Sequence, residues 1–561
     1  MMVIIVAAVS AAGILKIVLM VLGAIIALGV VVIIHELGHF IAARKAGVKV
    51  EAFSVGFGPR ICGIKKGETD YRLSLIFFGG YVKMKGMEPE GDKQPHEIEG
   101  GFFAATPGWR AFIAFAAPAM NVLLALAVFT VLWFTGTKVS QGVLTTTIGY
   151  VEEGSPTRKA GLLPGDTILK VNDRPVSEWK DVMEVVAFGR RAPVVLTIER
   201  SGTILNKRIF VEWDREVGYR HLLVFPRMDL VVEDVEPGWP AEKIGMKKGD
   251  RLLSLAGERL FHIDQFREIL RKNIGKEVAL VVSREGKGAR DVTFSFTVPV
   301  PGIGVTFVKE DSVAGKVGFR DGDLIVAAAG QTPSTIGALQ EILDLSAGKE
   351  ITLKIERGKH PVAGNKPEER PPYSLLGAHL EQGFPVLGFV PGVVYGVKKE
   401  TPLFATYSAV RNVLLTLKGL MTRTVSTKGI SGPVGIVGIM AKSISISFTT
   451  FLYFIGFLSA NFAVLNLLPI PILDGGHIMF SAIEKARGKP IRHKTMTAII
   501  NAFFFLILAF FLFVTRNDVV RFFKGRAREP EREKTVEIHL KVPPQGISLS
   551  TRTSEKRAPE T

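Results

Sequence analysis

Between Ile17 and Ile34 the chain carries no charged or hydroxylated side chain, and the run ends on His35-Glu36-Leu37-Gly38-His39. An apolar stretch of that length crosses a bilayer as a helix, because hydrocarbon offers no partner for an unpaired backbone N–H or C=O. Ionisable groups at membrane depth are costly and mark function. Two histidines four apart lie on one face of a helix, where both rings reach one metal ion. Glu36 between them is placed to take a proton from a water on that metal. The bland alternative is a chance match at a helix end, with the histidines reaching for the interface.

Four runs are long enough to span: Gly13 to Phe40, Ala111 to Gly136, Phe448 to Leu473 and Thr495 to Val514. Phe404 to Met421 places Arg411 and Lys418 one heptad apart and reads as an amphipathic helix on the membrane surface. Mean hydropathy is +0.28, yet 22% of the 561 residues are charged, so spans are joined to soluble domains. The net charge of +17 flanks the apolar runs and is assigned to membrane loops, with no nucleic-acid partner expected. Cys62 is the single cysteine, which excludes an intramolecular disulfide and a thiolate-rich zinc site. Met1 to Gly13 lacks a basic leader and runs on into the first span, so a retained span is expected rather than a cleaved signal.

Short basic loops set the orientation. Arg44, Lys45, Lys49, Arg60, Lys65 and Lys66 follow the first span; Lys485, Arg487, Lys489, Arg492 and Lys494 lie between the third and fourth. Both loops are expected in the cytoplasm and the long insert between spans two and three outside. The basic residues Arg516, Arg521, Lys524, Arg526 and Arg528 disagree, because four spans put the tail outside too.

The insert repeats. Gly161 to Asp166, Gly245 to Asp250 and Gly318 to Asp323 each lead into an apolar strand, and an arginine follows each aspartate by 34 residues: Arg200, Arg284 and Arg357. A short helical pattern lies between. The pattern resembles PDZ domains, β-sandwiches whose strand–helix groove takes a peptide end as an added strand. Three spacer modules are the bland alternative.

The resulting division is a first transmembrane helix with the metal motif (1–43), a cytoplasmic loop with a membrane-associated β-hairpin (44–110) and a second helix (111–136). Three PDZ-like domains follow (137–217, 218–298, 299–362), then a linker with the interfacial helix (363–447). A third transmembrane helix (448–473), a cytoplasmic loop (474–494), a fourth helix (495–515) and a disordered tail (516–561) complete it. The fold class is a polytopic α-helical membrane protein with a β-hairpin and tandem PDZ-like β-rich domains.

Two histidines leave a catalytic zinc one protein ligand short. Pro469 and Pro471 break the third run, and irregular backbone at that depth is tolerated only where it is buried or lines a cavity. Asp474, followed by Gly475-Gly476, is therefore assigned as the third ligand. His477 is a weaker candidate, and a helix cap is the bland role for Asp474.

With these residues in view the chain resembles the bacterial site-2 protease family of intramembrane zinc metalloproteases, regulator of sigma-E protease type. The resemblance rests on His35 to His39, on Asn461 to Gly475, and on the repeats between. Gly56 to Pro59, Leu75 to Met84, Pro118 to Asn121 and Gly432 to Ile436 extend it over most of the chain except the tail. It implies one Zn2+ on His35, His39 and Asp474, with Glu36 as catalytic base. It also implies substrate contacts from Asn461, Asn466 and Gly79-Gly80-Tyr81-Val82. Tyr71 to Met84 alternates around Gly79-Gly80 as a hairpin would. The implied substrate is a single-span membrane protein, such as an anti-sigma factor after a first cleavage or a remnant signal peptide. The implied location is the bacterial inner membrane among lipids, with the active site toward the cytoplasm and peptide C-termini read by the outer domains. Asn121 is expected to be structural. The familiar members have two PDZ modules, whereas three repeats stand here. An inactive scaffold recruiting envelope proteins is the competing reading; a metal transporter would need polar residues through several spans and inverted repeats.

Overall fold

Four helices among the described residues are long and apolar enough to cross a membrane: Val18–Lys45, Pro107–Thr135, Phe448–Asn466 and Lys494–Arg516. They belong to a computed structural model that describes residues 11–549 apart from short internal stretches, the longest being 357–372, 426–431 and 527–534. The second span starts where Thr106 Oγ1 accepts from Trp109 N and Pro107 occupies the first turn. Ser447 Oγ caps the third in the same way by accepting from Thr450 N. That span ends at Asn466, short of the expected Leu473. Pro469 and Pro471 have no N–H to continue the ladder, so the helix stops and a new one runs Asp474–Arg487.

First and second spans touch at Gly38. A Cβ there would lie 2.6 Å from Ala116 O and from Ala117 Cα, so only glycine allows the approach. Helix Pro402–Met421, expected on the surface, packs Ala405 and Ala409 against Ala125, Phe129, Leu132 and Ala460 of the second and third spans. Helix Pro433–Ile446 supplies Met440 to a cluster with Ala24, Ala27 and Leu458.

After the first span, Val50–Lys66 (β1) and Thr69–Met84 (β2) pair antiparallel about a turn at Gly67. The expected hairpin around Gly79-Gly80 is corrected. The chain bends there, and both halves of β2 pair with β1: Ser54 stands opposite both Arg72 and Tyr81. Ala52 to Val55 of β1 are thereby paired on both edges, and their backbone groups go to the ladder rather than unpaired.

The insert opens at Thr137–Ser140 and closes at Tyr395–Lys398, and these strands pair, so the chain leaves and re-enters the helical bundle at one place. Between them stand three β-rich units with separate cores. The repeated spacing has a physical cause. Arg200 Nε donates to Asp166 Oδ1 at 2.6 Å and Arg284 Nε to Asp250 Oδ1 at 2.6 Å, with a second guanidinium nitrogen on the other oxygen each time. Asp166, Asp250 and Asp323 also accept from the backbone N–H three residues earlier, at Leu163, Lys247 and Arg320. Arg357 lies outside the described residues.

The units are not successive blocks, which corrects the boundaries read from the repeat. The first core extends past 217 to Leu222 and Val224. The second unit pairs Leu230–Val235 with Phe389–Val393, a strand from beyond the third unit. The third draws on Ala378–Gln382 and on Thr535–Lys541. This last strand corrects the disordered tail. It pairs with Glu350–Glu356, and Ile538, Leu540, Val542, Ile547 and Leu549 are buried in the third core. In the other two units the equivalent strand comes next in sequence: Thr203–Ile209 on Val194–Arg200, and Arg290–Thr297 on Glu277–Arg284. The alternation of Val536, Ile538, Leu540 and Val542 is short and sits in charged surroundings, so composition hides it.

Candidate active site

His35 and His39 stand one helical turn apart on the first span, ring centroids 5.2 Å from each other. The turn after the third span carries the acid to them. Gly475 and Gly476 allow that turn to close, because a Cβ would fall 2.2 Å from Leu468 O at the first and 2.3 Å from Ile470 O at the second. Asp474, the first residue of the new helix, then places Oδ2 3.1 Å from His35 Nε2 and Oδ1 3.1 Å from His39 Nε2. The same helix is anchored by a buried ion pair, Arg110 to Glu484, and Glu484 Oε1 also accepts from Ile491 N at 2.9 Å.

The donor chemistry fits zinc. The nitrogen, nitrogen and oxygen atoms all lie within 4.8 Å of one another. Ligands sharing a tetrahedral zinc at bonds of ~2.0–2.1 Å stand roughly 3.3 Å apart, close to the spacing seen here. Asp474 Oδ2 is buried and accepts no well-directed hydrogen bond, even though His35 Nε2 is near. A close approach without hydrogen-bond direction is what co-ligands show. His39 Nδ1 lies 3.0 Å from Ile113 O, and a carbonyl can only accept, so Nδ1 carries the hydrogen and Nε2 the lone pair.

Glu36 Oε2 accepts from Val82 N at 3.1 Å, which brings β2 to the first span beside the histidines. Gly80 lies along the same contact, where a Cβ would come 3.8 Å from Glu36 Cγ, and a Cβ on Gly79 would come 3.5 Å from Val32. Tyr81 stacks on Phe57 at 6.1 Å, with Arg72 over its ring. The two asparagines divide. Asn461 Nδ2 donates to Phe457 O at 2.7 Å within its own helix, and Asn466 closes the third span. His477 is not part of the donor group among the described residues. It packs edge-on against Phe102 at 5.7 Å, and burial holds its pKa below the usual imidazole value.

Three residues have partners that the sequence reading missed. Asn121, expected to be structural, is fully buried with its side-chain amide 3.1 Å from His35 Nδ1. Its signal was a lone amide in an apolar span, which serves helix packing equally well. Arg110 and Glu484 are far apart in sequence, and neither shows its partner there.

The sequence matches the profile described as peptidase family M50 over residues 23–510. It is 29% identical to a protein of Thermotoga maritima named "putative zinc metalloprotease", over 88% of this chain and 97% of that one. A protein of the same description in Chlamydia pneumoniae is 27% identical over 89% of this chain and 99% of its own. The regulator of sigma-E protease RseP of Escherichia coli is 26% identical over 84% of this chain and 91% of its own.

Proposed function

The chain belongs to peptidase family M50 and is a zinc metalloprotease, and from that premise we propose that it cuts peptide bonds inside the membrane spans of single-span proteins. One observation carries the reading. Two imidazoles from the first span and a carboxylate from beyond the third meet beside Glu36, among helices apolar enough for a bilayer.

His35, His39 and Asp474 would hold the ion. Zinc, when bound, acidifies a water and polarises a carbonyl. Glu36 takes the proton released in the attack and passes it to the leaving nitrogen. Its carboxylate is steered by the Val82 N–H. Substrate must unwind first, because a helix spends its peptide groups internally. The half of β2 from Gly80 to Met84 has β1 on one edge, and its Val82 N–H goes to the Glu36 side chain rather than to a strand, which suits an added strand there. A substrate carbonyl that pairs with Val82 N–H would release Glu36 to act as base. Asn461 and Asn466, the polar residues of the third span closest in sequence to Asp474, would supply substrate contacts. Bonded within its own helix, Asn461 is the weaker of the two.

The basic loops support an orientation with the active site toward the cytoplasm and the β-rich insert outside a bacterial inner membrane. Pairing of Thr535–Lys541 with the third unit keeps the tail on the insert's side, which supports the four-span count over the tail's positive charge. The PDZ-like units would exclude untrimmed substrates and read new C-termini. An anti-sigma factor after a first cleavage, or a remnant signal peptide, fits that filter. The test is a Glu36→Gln strain: full-length substrate fragments should accumulate while the purified variant keeps its zinc. Normal cleavage by that variant would refute the assigned base.

A further inference from the structure

We propose that Asn121 is a positioning residue: its side-chain oxygen accepts the Nδ1 hydrogen of His35 and so fixes the tautomer that turns Nε2 to the metal. The proposal rests on the ligand set given above. A neutral imidazole has one N–H. A ring that binds metal through Nε2 carries that hydrogen on Nδ1, and in a buried site the N–H needs an acceptor. For His39 the acceptor is Ile113 O. For His35 the group 3.1 Å from Nδ1 is the Asn121 carboxamide.

The oxygen and nitrogen ends of a carboxamide have the same shape, so chemistry decides which end faces the ring. With the NH2 toward His35, Nδ1 has to accept and the ring hydrogen moves to Nε2, facing Asp474. Asn121 Oδ1 is then buried with no partner. With the oxygen toward His35, one rotation resolves both faults. Nδ1–H is accepted, Oδ1 gains its partner, and Nε2 offers a lone pair beside Asp474. Asn121 is held for the task, because its backbone oxygen accepts from Ser459 Oγ at 2.8 Å, tying the second span to the third.

The test measures zinc affinity of the full chain in detergent by chelator competition, for the unaltered protein, Asn121→Leu, Asn121→Asp and His35→Ala. Asn121→Leu should bind zinc about 10- to 100-fold more weakly, the usual loss when a ligand's outer partner goes. Asn121→Asp keeps an acceptor at the same place and should stay near the unaltered affinity. A residue that merely fills space would not show this rescue. Unaltered affinity in Asn121→Leu, or equal loss in both variants, overturns the proposal. If Asn121→Leu does not fold, histidine-selective 15N NMR of the unaltered zinc-loaded protein decides. The proposal needs the His35 hydrogen on Nδ1, and a hydrogen on Nε2 overturns it. His35→Ala separates the two levels: full affinity there sinks the ligand set itself, whereas weak binding there with full affinity in Asn121→Leu sinks only the role of Asn121.

Discussion

Ending the chain after Arg526 should unfold the third β-rich unit and spare the other two. The cut removes Ile538, Leu540, Val542, Ile547 and Leu549, five apolar side chains buried to within 6% of full burial in that unit's core. At about 1.5–3 kcal/mol each, their loss comes to roughly 7–15 kcal/mol, against a whole-domain stability of about 5–15 kcal/mol. It also strips Glu350–Glu356 of one of its two ladder partners, leaving Leu324–Ala328 on the other edge. The first and second units keep their own hairpin strands. Hydrogen exchange read by mass spectrometry on the detergent-solubilised chain separates the outcomes. Peptides from 303–356 should lose protection, while peptides from 148–224 and 230–298 retain it. A synthetic peptide covering 530–552, added in trans, should restore part of the loss. Unchanged protection in 303–356 after truncation would show that the tail strand is an ornament, and the reasoning from burial would be wrong.

Other consequences are as direct. Glu36→Gln should lower cleavage by about 10²- to 10⁴-fold with zinc content unchanged, as removal of a general base does; parallel loss of zinc would indicate a ligand role instead. Glu484→Ala strands Arg110 in the interior and should cost about 3–5 kcal/mol, read as a fall in the thermal midpoint together with weaker zinc binding, because the same helix carries Asp474. An acid side chain gives the pH test. Burial pushes the Glu400 carboxyl up, but Lys398 and Lys180 more than offset it and hold it below the ordinary carboxylate range. An acid so depressed adds stability that is fully present above about pH 4.3 and is lost as pH falls through its lower folded value. Contacts of Glu178 and Lys180 with Lys398 and Glu400 should therefore hold at pH 5 and loosen below pH 4, seen as faster exchange in Trp179–Ala187. Chelation should abolish cleavage and zinc should restore it, and activity that persists after complete zinc removal would contradict the chemistry.

What was legible in the sequence follows from the range of the signals. His35, Glu36 and His39 share one helical turn, so their common face follows from the period of the helix alone. Asp474 was reachable because Pro469, Pro471 and the glycine pair leave a break that must be buried, and few acids stand at such a break. The 34-residue spacing showed as a repeat, and its cause, an aspartate clamped by an arginine, needed coordinates. Pairing across long separations left no local trace. Gly79-Gly80 suggested a turn, but the partner for both sides of the bend is β1, whose claim on them cannot be read from Tyr71 to Met84. The third unit's last strand lies beyond the fourth span, in a segment whose charge suggested disorder. Asn121 looked like helix packing because its partner is a ring more than eighty residues earlier.

X-ray absorption at the zinc edge, on the unaltered chain and on Asp474→Ala, tests the central claim most directly. The account predicts one zinc per chain with two imidazole nitrogens and a carboxylate oxygen at about 2.0–2.2 Å, and in Asp474→Ala the loss of that oxygen with much of the metal. A full complement of zinc in Asp474→Ala with an unchanged coordination shell would contradict it.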